Sequence, residues 1–430
     1  MSGKMTAATA QTIRDESTAK IPGYAWYALA LLTLVYVLNF LDRTLIYLLF
    51  APIQAEMNLS YTQLALLGTT SFVIFYTLLG IPFGRMADRV SRRKMIAGGL
   101  AVWSLFSGLT GFAHDFWGIF LCRVMVGVGE ATLGPAALSL LSDYFPPRVR
   151  ATVQAVYSSG IAIGAGVAFF LGGWIANNYG WRFAFYLLGF PGLFFALLVL
   201  LLKEIPRGQT ETAQANYSRN DWTVLFTSRP LIYLYLGYAL FGLAANSLSI
   251  WGAIFFRDVH HLSLQTIGKW GGLLSIVAGV PGTILGGYVA DRLRRRGRGG
   301  RMLFSACGAL LAIPFWVALL FSNSVWLLAV ANFVLLGLSL MWLGPAAADV
   351  HEIAGPKLRG LGIGIYFFAV NIAAYAIGAP LVGQLNDKLG TAQNPAAMRY
   401  ALLVSPIACA LSALLLWRGS RTLSEKRTSP

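Results

Sequence analysis

The chain has 430 residues, of which 57% are hydrophobic and only 12% charged. Its mean hydropathy of +0.65 is more than a soluble domain of this length could carry on its surface. A net charge of +16 would suggest nucleic acid as the partner of a soluble protein. Here, however, the Lys and Arg lie in short connections between apolar runs, where they set membrane orientation. Composition therefore specifies an all-α polytopic membrane protein surrounded by a lipid bilayer, and argues against nucleic-acid binding.

Residues 1–23 form a polar tail of mixed charge without the apolar core of a cleavable signal, so the first span is expected to direct its own insertion. Twelve apolar runs follow, at about 24–50, 61–83, 94–113, 116–142, 152–176, 181–202, 230–256, 268–290, 302–321, 325–347, 361–384 and 399–417. Tyr24, Trp26 and Tyr27 open the first where an aromatic belt belongs. The one long connection, 203–229, separates a bundle of six spans over 24–202 from a second over 230–417, and residues 418–430 form a closing tail. Within that connection Asn220 and Asp221 could cap a short helix through Trp222, Val224, Leu225 and Phe226 lying on the membrane surface. Of the 33 Lys and Arg residues, 26 fall in the two tails and the even-numbered connections. Both termini are therefore expected in the cytoplasm, with the chain in a bacterial inner membrane.

The two sets of spans repeat in the same orientation. Gly84-Arg85-Met86-Ala87-Asp88-Arg89 with Arg92, Arg93 and Lys94 follows span 2, and Gly287-Tyr288-Val289-Ala290-Asp291-Arg292 with Arg294, Arg295 and Arg296 follows span 8. Leu133-Gly134-Pro135-Ala136-Ala137 in span 4 is echoed by Leu343-Gly344-Pro345-Ala346-Ala347 in span 10.

Charges inside the membrane single out spans 1 and 4. Span 1 carries Asp42 and Arg43, and the stretch from Phe116 to Asp143 carries Arg123 and Glu130. A charge at such depth costs at least ~2.5 kcal/mol, so these side chains should face protein or a watery cavity and have partners. Seven residues is almost two helical turns, which puts Arg123 and Glu130 on one face. Gly127 and Gly129 admit a close neighbour there, and Pro135 can bend the helix. With span 1 ending near Phe50, Asp42 lies about 12 Å from its outer end, while Arg123 and Glu130 lie about 10 Å and about 21 Å below the start of span 4. Asp42 and Arg123 come out level. The second half has no such charge deep in its runs, and its polar candidates are Asn246, Trp342, Tyr366, Asn371 and Tyr375. His114, His260, His261 and His351 fall in loops or span ends, and Cys122, Cys307 and Cys409 lie singly in apolar segments. No metal site, cofactor site or nucleophile with a base follows from them, so an enzyme is not expected. A channel would need a ring of charges or carbonyls from repeated subunits, whereas the charges are confined to one half. The expectation is a monomeric carrier.

The doubled loop signature and Arg123-x-x-x-Gly127-x-Gly129-Glu130-Ala131 resemble the major facilitator superfamily of secondary transporters. Asn39-Phe40-Leu41-Asp42-Arg43, Gly127-Val128-Gly129-Glu130-Ala131 and Ser142-Asp143-Tyr144-Phe145-Pro146 resemble its spinster branch of lipid transporters. Span 5 has Gly160, Gly164, Gly166, Gly172 and Gly173 but lacks the Gly-Pro step that resembles an antiporter signature elsewhere in the superfamily. The resemblance implies two six-helix bundles that rock about a midplane site, with spans 1 and 4 beside a central cavity. Asp42 and Arg123 are then expected to pair, and Glu130, with Asp42, Arg123 and Arg43 around it, to carry protons. The substrate implied is an anionic amphipathic lipid such as a lysophospholipid or sphingoid phosphate. Arg123 and Arg43 would take its head, beside Asn39, Asn246, Trp342, Tyr366, Asn371 and Tyr375. A small organic or phosphorylated anion is the alternative. Carboxylates at the ends of spans 2 and 8 are placed to meet helix N-termini on the same side. Asp88 would hold span 11 and Asp291 span 5, with Arg89, Arg92 and Arg292 beside them, as latches closing the cytoplasmic side.

Overall fold

The computed structural model describes residues 21–87, 89–146, 149–206, 223–297, 299–355 and 358–425. Among them the regular elements are all helices, since a backbone in hydrocarbon has no water to bond and must satisfy its own polar groups. The spans are α1 (Gly23–Leu48), α2 (Tyr61–Ala65, a π-helical turn Leu66–Thr70, then Ser71–Ala87), α3 (Arg92–Thr110), α4 (Phe116–Tyr144), α5 (Arg150–Tyr179) and α6 (Trp181–Leu200). In the second half they are α7 (Arg229–Asp258), α8 (Leu264–Arg296), α9 (Gly300–Phe321), α10 (Val325–Ala354), α11 (Gly360–Lys388) and α12 (Pro395–Leu423). By length and hydropathy 11 of these can cross a membrane. The twelfth is α3, whose first turn holds Arg92, Arg93 and Lys94 and so lowers its average. The short helix of the long connection covers Val224–Thr227. Its buried Leu225 packs with Leu231, Val350 and Leu358 of the second half, while Asn220, Asp221 and Trp222 lie outside the described residues.

Because the spans alternate in direction, the start of α1, the end of α12 and the connections after α2 and α8 share one side, here called the basic face. Helix α4 breaks at Ala131 and Thr132, and α10 breaks at Trp342. Pro135 and Pro345 explain both breaks: each lacks an N–H, and its ring crowds the carbonyl four residues back, at Ala131 and Met341. The repeat seen in the sequence is thus a repeat of midplane kinks. Gly127 sits against the Phe72 backbone of α2 and Gly129 against Gly99 and Trp103 of α3, where a Cβ would come within 2.6–2.9 Å. These glycines clamp α4 between its neighbours, as their small size suggested.

Helix α5 joins the halves. Its Gly160 and Gly164 face α1, and its Gly166 and Gly173 face Gly272, Ile276 and Gly268 of α8. The α5–α8 contact lies toward the face opposite the basic one. The Phe50–Trp251 ring pair at 5.8 Å and the Tyr61–Trp251 pair at 6.3 Å lie there too. The halves therefore meet on that side.

Candidate functional site

The central feature is an ion pair between α1 and α4. Arg43 donates from Nε to Glu130 Oε2 at 2.8 Å, with the Glu130 side chain fully buried and the Arg43 side chain 14% exposed. Aromatic rings surround the guanidinium, with Phe40, Phe72 and Tyr76 centroids 5.0, 4.6 and 4.5 Å away. Tyr36 extends this wall by an edge contact with Phe40 and by stacking on Tyr157 of α5 at 4.2 Å. Asn39 is buried beside the pair, with its amide close to the Glu130 carboxylate.

This pairing differs from the one expected of the sequence. Asp42 accepts a hydrogen bond from Ser107 Oγ of α3 at 2.8 Å, and no ion pair joins it to Arg123 among the described residues. The reason is the length of α1. Past a single irregular residue, Leu49, the chain continues as helix over Phe50–Met57, so the outer end lies seven residues beyond the assumed one. Arg43 to Met57 and Phe116 to Glu130 each span 14 positions, about 21 Å of helix. Arg43, and not Asp42, therefore has its partner at the same depth on α4.

Arg123 is 1% exposed and has no carboxylate in ion-pair range among the described residues. Its Nη2 reaches the Gly68 carbonyl at 3.4 Å, and its guanidinium lies 5.5 Å from the Phe72 ring centroid. Gly68 belongs to the π-turn of α2, where wider hydrogen-bond spacing presents carbonyls to side chains. Such a cation is a buried charge held by dipoles and a ring.

From the second half, Tyr375 reaches this region. Its hydroxyl donates to Asn246 Oδ1 at 2.6 Å, and its carbonyl lies 3.4 Å from Thr70 Oγ1 of α2. It packs against the hydrophobic clusters of both halves, in a π-helical stretch of α11, Ile372–Gly378. Asn371, just before that stretch, is partly exposed. Trp342 and Tyr366, named with these as substrate contacts, are 2% and 0% exposed. They pack with Tyr238 and Phe241 inside the second half, because the kink at Trp342 turns its ring inward. The wall around Arg43 was not singled out from sequence, although Tyr36, Phe40 and Arg43 fall at helical spacing, as do Phe72 and Tyr76.

Of the residues assigned to gating, Arg92 and Asp291 bind within their own halves. Arg92 is buried and bonds Asp143, Glu204 Oε1 at 3.1 Å, Ser139 Oγ at 3.1 Å and the Ile205 carbonyl at 2.6 Å. In the second half Arg301 binds Asp291 at 2.8 Å, Asp349 at 3.4 Å and Glu352 at 3.1 Å, and Arg294 also bonds Glu352. Ser139 and Asp349 occupy matching places after the repeated Leu-Gly-Pro-Ala-Ala, so the two hubs share one position of the repeat. Asp291 thus sits with Arg301 of its own half, and among the described residues no hydrogen bond or ion pair joins it to α5. Arg89 and Arg292 are exposed, and Asp88 lies outside the described residues.

Burial opposes the charge of Glu204, but donors from Ser91, Arg92 and the backbone of Arg92 and Arg93 outweigh it and hold the carboxyl below its usual range. A depressed folded pKa stabilises at pH above the unfolded value, and that contribution fades as pH falls through the folded one. Replacing Glu204→Gln should cost about 1 kcal/mol at pH 7, discounted for its partial exposure. Below the carboxylate range the difference from the parent should vanish. Melting of the purified protein at both pH values checks this.

Twelve spans, two kinked copies of one motif and a cluster of charges buried within the first half are the features a membrane carrier needs. Over residues 32–316 and 282–430 the sequence matches the Major Facilitator Superfamily. The chain belongs to that superfamily. It is 28% identical to an MFS-type efflux pump of Mycolicibacterium smegmatis, covering 97% of both chains. It is 27% identical to Protein spinster of Drosophila melanogaster over 85% of this chain and 62% of that one, and 27% identical to the hexuronate transporter of Bacillus subtilis over 84% and 87%. The fold superposes on a bacterial homolog of the human lysosomal transporter spinster, in its inward-facing and unoccupied conformation. That match has a TM-score of 0.84 and 26% identity, covering 95% of this chain and 99% of the other.

Proposed function

We propose that this transporter couples proton movement to the passage of an anionic amphipathic lipid, with the basic face cytoplasmic and with alternating access by rocking of the two halves. The observation that carries the coupling is the buried Arg43–Glu130 pair beside the interhalf contact of Tyr375 with Thr70. A proton on Glu130 cancels its charge and frees Arg43, whose fork of donors then suits a phosphate or carboxylate. Loss of the proton restores the pair and releases the anion. The head would sit against α1 and α4, and the chain along the largely apolar α7, α8, α10 and α11. The spinster relationship supports this substrate class. The hexuronate relative favours a second reading, in which the substrate is a small organic anion held by Arg43, Asn246 and Tyr375.

A thermal-shift screen separates the two, because a ligand bound to the folded state raises the melting temperature. Lysolipids and sphingoid phosphates are expected to stabilise the purified protein, and to lose that effect in Arg43→Gln. Stabilisation by a sugar acid or sugar phosphate alone would establish the second reading.

A further inference from the structure

Asp387, in the last turn of α11, belongs to the second half, yet it caps a helix of the first. Its Oδ1 accepts from the Tyr61 backbone N–H at 2.8 Å, and its Oδ2 accepts from the Thr62 N–H at 3.0 Å and the Thr62 hydroxyl at 2.6 Å. The third exposed donor of that helix, the Gln63 N–H, is taken by its own cap Ser60 at 3.2 Å, and Gln63 Oε1 in return accepts from the Ser60 N–H at 2.9 Å. Of the donors that the start of α2 leaves without helical partners, two are therefore satisfied only across the halves. The negative carboxylate also meets the positive end of the helix.

The backbones support the same contact. A Cβ at Gly383 would lie 2.8 Å from the Tyr61 carbonyl and 3.0 Å from Thr62 Cα, so α11 closes on α2 only with glycine there. Beyond it, Asn386 bonds the Val382 carbonyl at 2.9 Å and accepts from the Thr391 hydroxyl at 2.9 Å. The turn that presents Asp387 is thus fastened to its own half. Both capping segments end at π-turns, Leu66–Thr70 in α2 and Ile372–Gly378 in α11, which touch each other through Thr70 and Tyr375.

We infer that Asp387 is the latch of the gate on the face opposite the basic loops, and that Tyr61–Ala65 with Ala379–Lys388 is the gate, hinged at the paired π-turns. This rests on the reading of alternating access but on neither the substrate nor the proton. When the latch parts, Tyr61 and Thr62 N–H groups pass to water and the segments swing apart. It is the counterpart, on the other face and with the roles of α2 and α11 exchanged, of the contact expected for Asp88.

Spin labels on Cys introduced at the exposed Ala55 and Ala392, one in each half, report the opening as a distance. Cys122, Cys307 and Cys409 are replaced by Ala, and the protein is measured in proteoliposomes without substrate or gradient. Asp387→Ala should raise the ratio of long to short distances about threefold, in the range of a charge removed from an exposed helix end. Thr62→Pro removes the donor side instead, at a position in the first turn that tolerates proline, and should act in the same direction. The double variant should open no further than the larger single one, since both break one contact. Unchanged distances in folded Asp387→Ala and Thr62→Pro, or effects that add, would overturn the latch. Loss of proton coupling in a Glu130 variant would leave these distances standing.

Discussion

Glu130→Gln is expected to abolish substrate uptake driven by a pH gradient while leaving exchange across the membrane measurable. The replacement keeps the shape and one acceptor but removes both the charge and the titration. Glu130 is fully buried, and its one ion-pair partner among the described residues is Arg43. A group so placed changes the charge balance of the central site when it gains or loses a proton. Arg43 in the variant stays permanently unpaired, as it would be in the protonated parent, so the anion can bind and exchange with no link to pH. With the anion identified by thermal shift, counterflow should fall less than about tenfold, while accumulation against a gradient disappears. Uphill accumulation with an unaltered pH dependence would assign the proton to another group, Asp42 being next because it too is buried and bonded only to a hydroxyl among the described residues.

The sequence made the class, the spans and the repeat legible because hydrocarbon imposes them: length, hydropathy and Arg placement are one-dimensional quantities. It also exposed the four buried charges and the purpose of Gly127 and Gly129. Pairing was harder. Depth was counted from an end of span 1 placed at Phe50, but the helix runs to Met57, since Gln54 and Glu56 end the hydropathy signal and not the helix. Glu56 is instead bonded by Trp181 at 2.7 Å and by Arg182. The hub at Arg301 was hidden for a similar reason, as Asp349 falls two residues past the apolar run assigned to span 10. The π-turns left little trace. Thr69 and Ser71 bond back to the Ala65 and Leu67 carbonyls at 2.7 Å, a habit of Ser and Thr in membrane helices that distorts them without marking where. Asp387 was not singled out from sequence, because its partners lie 325 and 326 positions away.

The largest effect on folding should come from breaking the Arg43–Glu130 pair on one side only. Removing one member of a buried pair leaves an uncompensated charge and costs about 3–5 kcal/mol. Arg43→Gln should therefore lower expression and melting temperature sharply, with Glu130 left facing Phe72 and Tyr76 in place of a cation. Glu130→Gln should cost less, because the guanidinium keeps its contacts with Phe40, Phe72 and Tyr76. The double variant carries no charge at the pair and should recover most of the stability lost in Arg43→Gln, giving a strongly non-additive cycle. Proton coupling would not return with it, because no titrating group has been restored. Asp42→Asn with Arg123→Gln supplies the contrast. Asp42 is held by Ser107 and Arg123 by the Gly68 carbonyl, so those two changes should couple only through attraction without contact, far less than Arg43 and Glu130 do. Additivity at Arg43 and Glu130 together with coupling at Asp42 and Arg123 would show that the resting protein pairs its charges the other way.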